Sequence, residues 1–87
     1  NNTNIIPVWS HVYPNPASDK LYIHTENGIV PEISIRDITG KLIFVLKNQN
    51  DKENDIDLSG LAPGLYYVTV ADTTGLKPVM THKVVRL

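Results

Sequence analysis

Few side chains in this sequence could hold a metal or move a proton. Oxygen-bearing residues crowd into one stretch, Asp51, Glu53, Asn54, Asp55 and Asp57, and three histidines, His11, His24 and His82, are spread along the chain. The acidic stretch could offer calcium the oxygen ligands it takes from loops. Its spacing matches no EF-hand, and a solvated charged loop explains the same composition, so no metal ligand is assigned. The histidines fall on different expected strands without ligand-like spacing, and cysteine is absent, which removes both a thiolate zinc site and a thiol nucleophile. Ser10, Ser18, Ser34 and Ser59 lack the Gly-x-Ser-x-Gly setting of a hydrolytic serine. No catalytic residue and no cofactor is expected. Trp9, Tyr13, Tyr22 and Tyr67 could stack against sugar rings, and that is the main alternative reading: a carbohydrate-binding or adhesive module of a secreted multidomain enzyme.

The elements that would position these residues are strands. The chain has 87 residues, room for one domain, and with no disulfide available it must be held by burial of its nine Ile, nine Val and eight Leu. Each large aliphatic side chain fully buried contributes about 1.5–3 kcal/mol. The excess of β-branched residues, which pack well on a pleated surface, favours strands over helices. Eight Lys plus Arg against nine Asp plus Glu give a net charge of −1, which leaves no basic field for nucleic acid or an anionic membrane. No apolar run approaches the roughly 18 residues of a membrane span, so membrane insertion is not expected. The polar opening, Asn1 to Asn4, marks residues 1–10 as linker-like, with or without a first strand, and residues 11–87 as the domain proper.

Gly and Pro punctuate the sequence at the spacing of short antiparallel strands. Strands are expected over Pro7–Tyr13, Lys20–Thr25, Glu32–Asp37, Leu42–Leu46, Asp55–Leu58, Leu65–Ala71 and Met80–Leu87. Alternation puts Leu21, Ile23, Ile33, Ile35, Ile56 and Leu58 inward, with Tyr22, His24, Ser34, Arg36 and Asp57 outward. In the last strand Val84 and Val85 compete for the inward phase. Pro14-Asn15-Pro16, Asn27-Gly28, Asp37-Ile38-Thr39-Gly40-Lys41 and Ser59-Gly60-Leu61-Ala62-Pro63-Gly64 mark corners, and Asn48–Asn54 an exposed loop. Asp37 is placed to accept a later backbone N–H, and Gly40 to take a positive φ. Tyr66, just past a Gly-containing corner, is expected to enter the core and bond back through its hydroxyl, as in the tyrosine corner of immunoglobulin-type sandwiches. Leu42–Leu46 is apolar on both faces, which predicts cover on both sides or a contact between copies, a weak dimer. The expected fold is an all-β, immunoglobulin-like antiparallel sandwich of about seven strands.

Three stretches in order, Val12-Tyr13-Pro14-Asn15-Pro16-Ala17-Ser18-Asp19, Ile35-Arg36-Asp37-Ile38-Thr39-Gly40-Lys41-Leu42 and Ile56-Asp57-Leu58-Ser59-Gly60-Leu61-Ala62-Pro63-Gly64-Leu65-Tyr66-Tyr67-Val68, resemble the C-terminal sorting domains of proteins exported by the type IX (Por) secretion system of Bacteroidetes. The ending Lys83-Val84-Val85-Arg86-Leu87 completes the pattern, and Arg36 departs from it by standing where the family often has an aromatic residue. The resemblance implies a non-enzymatic address label at the C-terminus of a secreted or surface-bound cargo, read by outer-membrane export machinery and cut by a sortase near Asn1 to Ser10. It marks Lys83, Val84, Val85, Arg86 and Leu87 as the segment needed for export; independently, the apolar strand that ends at the last residue is expected to be detachable and to present main-chain groups and alternating side chains to a receptor edge. It assigns a mainly structural role to Asn15, Pro16, Asp37, Gly40, Lys41, Asp57, Leu58, Gly60, Leu61, Gly64 and Tyr66.

Overall fold

The computed structural model describes residues 8–26, 28–47, 53–75 and 77–87. Within them run seven strands, β1 (Ser10–Tyr13), β2 (Lys20–Thr25), β3 (Pro31–Asp37), β4 (Leu42–Leu46), β5 (Glu53–Asp57), β6 (Gly64–Asp72) and β7 (Met80–Arg86). They form a three-stranded sheet in the order β1-β2-β5 and a four-stranded sheet in the order β4-β3-β6-β7, with every pairing antiparallel. The β2–β5 pair in one layer and the β3–β6–β7 group in the other follow the immunoglobulin plan, with β4 joined to β3.

Alternation decides which faces meet. Leu21 lies opposite Ile56 in one sheet, and Ile33 and Ile35 lie opposite Val70 and Val68 in the other. All six are buried between the layers. On β7 it is Val84 that points inward, while Val85 is 41 % exposed. The strand is thus pinned by one valine, because a slip of one residue would exchange the two.

Several expectations need correction. Trp9 belongs to the core: it is fully buried, and its indole Nε1–H donates to Pro78 O at 2.8 Å. The first strand begins at Ser10. Glu53 and Asn54 open β5, with Asn54 buried, because the inward phase of Ile56 carries back along the strand. The rest of the expected loop, 48–52, and Asn27 of the expected turn lie outside the described residues. β4 is an edge strand, and its cover is partial: Leu42 is exposed, and Ile43, Phe44, Val45 and Leu46 are half-buried.

The corners share a device. Asp37 Oδ1 accepts from Thr39 N at 2.9 Å, Thr39 Oγ1 at 2.6 Å and Lys41 N at 3.1 Å. Asp57 Oδ1 accepts from Ser59 N at 2.9 Å, and Asp72 accepts from Thr74 N at 2.9 Å and Lys77 N at 3.0 Å. Each Asp ends a strand and is followed two residues later by Ser or Thr, so its carboxylate satisfies the amides that the turning chain leaves unpaired. The Thr39 hydroxyl, helped by the Lys41 and Thr39 amides, holds the Asp37 carboxyl below its ordinary value. The Ser59 amide and then its hydroxyl do the same for Asp57.

Gly40 closes the first of these corners at φ +90°, whereas Gly60 has no positive φ. A Cβ at either position would meet nothing within 4 Å, so substitution reports on the backbone alone. We expect Gly40→Ala to lower stability by about 1–2 kcal/mol and Gly60→Ala to leave it within about 0.5 kcal/mol, as read by urea unfolding. Equal effects would show that φ does not govern the corner.

Candidate functional site

The register brings the four motif stretches to one end of the sandwich. Asp37 at the end of β3 pairs with Tyr66, and Gly64 at the start of β6 pairs with Arg86 at the end of β7. In the other sheet the start of β2 meets the end of β5, Lys20 opposite Asp57. Leu58 ties the layers together there: its amide donates to Asp19 O at 2.8 Å, and its carbonyl accepts from Leu61 N at 2.9 Å and from Arg86 Nε at 2.8 Å. Tyr66 enters the core as expected, and its hydroxyl donates to Ala62 O at 2.5 Å. Asp37, Ile38, Pro63, Gly64, Leu65 and Tyr66 line a shallow pocket where the second and third motifs touch.

The last strand is held on both sides. On its inner side β7 pairs with β6 from Met80 to Arg86. On its outer side lies the segment after β1. The Asn15 side chain donates from Nδ2 to Lys83 O at 2.9 Å and accepts at Oδ1 from Val85 N at 3.1 Å. The Ala17 amide then donates to Val85 O at 2.8 Å, and Ala17 O accepts from Leu87 N at 2.8 Å, forming a parallel bridge. An asparagine amide sets an N–H donor beside a carbonyl acceptor, as a peptide edge does, so Asn15 fills a rung that Pro14 and Pro16, which have no N–H, cannot fill. A proline also forces the preceding residue into an extended conformation, which aligns Asn15 along the strand edge. The peptide bonds before Pro14 and Pro16 are both cis. The expected detachable strand is therefore clasped, because Lys83 O, Val85 N, Val85 O and Leu87 N on its outer edge already have partners.

The seam continues towards the other end. Ser10 Oγ lies 2.9 Å from His82 Nε2 and 3.4 Å from Met80 Sδ, beside the Trp9 to Pro78 bond. Desolvation, followed by the charge of His11, pushes the His82 imidazole below its ordinary value.

The other candidates separate. His11 faces His24 across β1–β2 with ring centroids 6.5 Å apart, and His24 Nδ1 contacts Glu53 Oε2. His82 sits on the other sheet. No cluster of three or more His, Asp or Glu among the described residues could hold a metal ion. Tyr13 and Tyr22 stack on the three-stranded sheet at 5.6 Å, whereas Tyr67 stands on the four-stranded sheet and Trp9 is in the core. The four rings make no common platform.

Sequence reasoning assigned no role to Ala17, and it overlooked Asp72. The repeated Asp-x-Ser/Thr spacing could have revealed Asp72. The tie of Ala17 to Val85 and Leu87 spans the length of the domain and has no local signature.

A family model described as the secretion system C-terminal sorting domain matches residues 11–86. Among solved structures the chain is similar to PorZ, described as an essential bacterial surface component of the type-IX secretion system of Porphyromonas gingivalis. The TM-score is 0.73 at 25 % identity, over 90 % of this chain and 11 % of that one. No curated protein gives a significant match.

Asn15→Ala removes both bridging bonds, and at about 0.5–1.5 kcal/mol for each we expect a loss of roughly 1–3 kcal/mol in urea unfolding. Asn15→Asp keeps the acceptor for Val85 N but turns a carboxylate oxygen towards Lys83 O. It should cost at least as much as the alanine change, and a neutral Asn15→Asp would show that the amide does not bridge.

Proposed function

The chain belongs to the family of secretion system C-terminal sorting domains, and from that premise we propose that its address is read from the side chains that the clasped terminal strand leaves outside. The domain is a non-enzymatic module that directs the secretion of the protein carrying it across the outer membrane to the cell surface. The finer assignment concerns Lys83 to Leu87. Val84 is buried and Arg86 is tied to Leu58 O and Leu87 O, which leaves Lys83, Val85 and Leu87 pointing outward. Leu87 is 65 % exposed.

One observation carries this reading. The outer main-chain edge at residues 83, 85 and 87 is occupied by Asn15 and Ala17, so strand addition by a receptor would first have to displace them. Recognition by side chains needs no such step. Val85 and Leu87 would supply apolar contact and Lys83 a charge to a protein of the export apparatus, with the attached cargo at the N-terminal side and a sortase acting on the linker before β1. Beside this, a sugar-binding role loses its support, because the aromatic rings are dispersed.

The test is a reporter fused ahead of residues 1–87 in a host with the export system. Val85→Asp with Leu87→Asp should abolish export while the melting temperature of the purified domain moves by only a few degrees, as expected for exposed positions (about 0.5 kcal/mol). Undiminished export after deletion of Lys83 to Leu87 would overturn the assignment.

A further inference from the structure

The register of the four-stranded sheet sets side chains in straight rows across its outer face. Arg36 lies opposite Tyr67, and Tyr67 opposite Lys83, so a phenol stands between two cations, with Leu42 at the β4 end of the row. The next row is Val45, Ser34, Thr69 and Thr81. Three of these carry hydroxyls: Thr69 Oγ1 and Thr81 Oγ1 are 3.3 Å apart, and Ser34 Oγ accepts from Arg36 at 3.3 Å. Arg36 and Lys83 are exposed, and neither forms an ion pair among the described residues. Glu32, one row further on this face, has its own cation, Lys47, at 3.9 Å. On the opposite side of the molecule β5 turns Glu53, Asp55 and Asp57 outward. The net charge of −1 thus hides a separation of sign between the two faces.

We propose that this row docks an extended, acidic segment of another protein. Two carboxylates of that segment meet Arg36 and Lys83, and the peptide between them lies over Tyr67. The dimensions fit: the two cations sit two strand spacings apart, about 9.5 Å between Cα atoms, and alternate residues of an extended chain lie about 7 Å apart on one face, within reach of long Arg and Lys side chains. Ser34, whose hydroxyl oxygen accepts from Arg36, and the Thr69–Thr81 pair leave hydroxyl hydrogens for peptide carbonyls. The backbones of β3 and β6 are paired on both sides, so this face recognises by side chains. Charge count selects a protein segment over a densely charged polysaccharide, because the row itself holds two cations, the third on this face, Lys47, being matched by Glu32, and Leu42, Val45, Leu65 and Val85 surround the row with an apolar rim that suits sparse charge among apolar residues. The row shares Lys83 and Val85 with the terminal strand and adds Arg36 and Tyr67, which lie outside it; the docking does not rest on the sorting role, since it is read as binding to the isolated domain.

The test is NMR titration of the isotope-labelled 87-residue chain with a soluble peptide carrying Glu-Val-Glu between Ser-Gly flanks, and in parallel with dextran sulfate. With the peptide we expect shifts centred on the amides of Ser34, Arg36, Tyr67, Thr69, Thr81 and Lys83, an affinity that falls as salt rises, and on the order of tenfold weaker binding in Arg36→Ser/Lys83→Ser. The double variant should melt as the parent does, both positions being exposed. Absent or dispersed shifts, or unchanged affinity in the double variant, would overturn the proposal. Tighter binding of dextran sulfate than of the peptide at this row would assign the face to a polyanion, and would overturn it too.

Discussion

The structure depends on one replacement: a side-chain amide stands in for a peptide unit along the outer edge of the last strand. β7 ends its sheet, and an exposed edge is a template for pairing with other chains. Asn15 and Ala17 occupy that edge over Lys83, Val85 and Leu87. Bonds that close a loop of this length must offset its entropy, and the surrounding contacts help. Trp9 anchors the start of the same segment to Pro78, Ser10 meets His82, and Arg86 reaches Leu58 O in the other layer. The segment from Trp9 to Ala17 thus laces the two sheets along the side where β1 and β7 meet.

This explains why the motif stretches, distant in sequence, belong together. The Asn-Pro stretch clasps the final strand, the Asp-x-Ser-Gly-Leu stretch receives the arginine of that strand, and the Asp-x-Thr-Gly-Lys corner abuts the start of β6. Each is a backbone device, and their shared product is a fixed end of the sandwich from which Val85 and Leu87 project. With no cysteine to staple so small a chain, polar ties of this kind, set on an Ile/Val core, hold the final strand in register.

Much of the fold was legible because its causes are local. Strict alternation at Leu21/Ile23 and Ile33/Ile35 set the faces, Gly40 marked its corner, and Tyr66 after Pro63-Gly64 announced a bond back through its hydroxyl, whose acceptor the structure identifies as Ala62 O. What escaped depends on distant partners. Trp9 in a polar-looking start could not be seen to meet Pro78, and the competition between Val84 and Val85 is settled only by β6 on one side and the clasp on the other. A terminal strand with an apolar pattern looked detachable for the same reason: its partner, Asn15, lies at the far end of the sequence and bonds through a side chain that no strand pattern reveals. The Arg36–Tyr67–Lys83 row was likewise invisible, since its members come from three strands and only the register aligns them.

Amide hydrogen exchange on the folded domain tests the clasp most directly. The account predicts that the Val85 and Ala17 amides, which donate to Asn15 Oδ1 and Val85 O, exchange as slowly as those of the interior strand β6, since all open only in global unfolding. Exchange of both at the rate of an unprotected peptide, while β6 stays protected, would show that the strand edge is open and would contradict it.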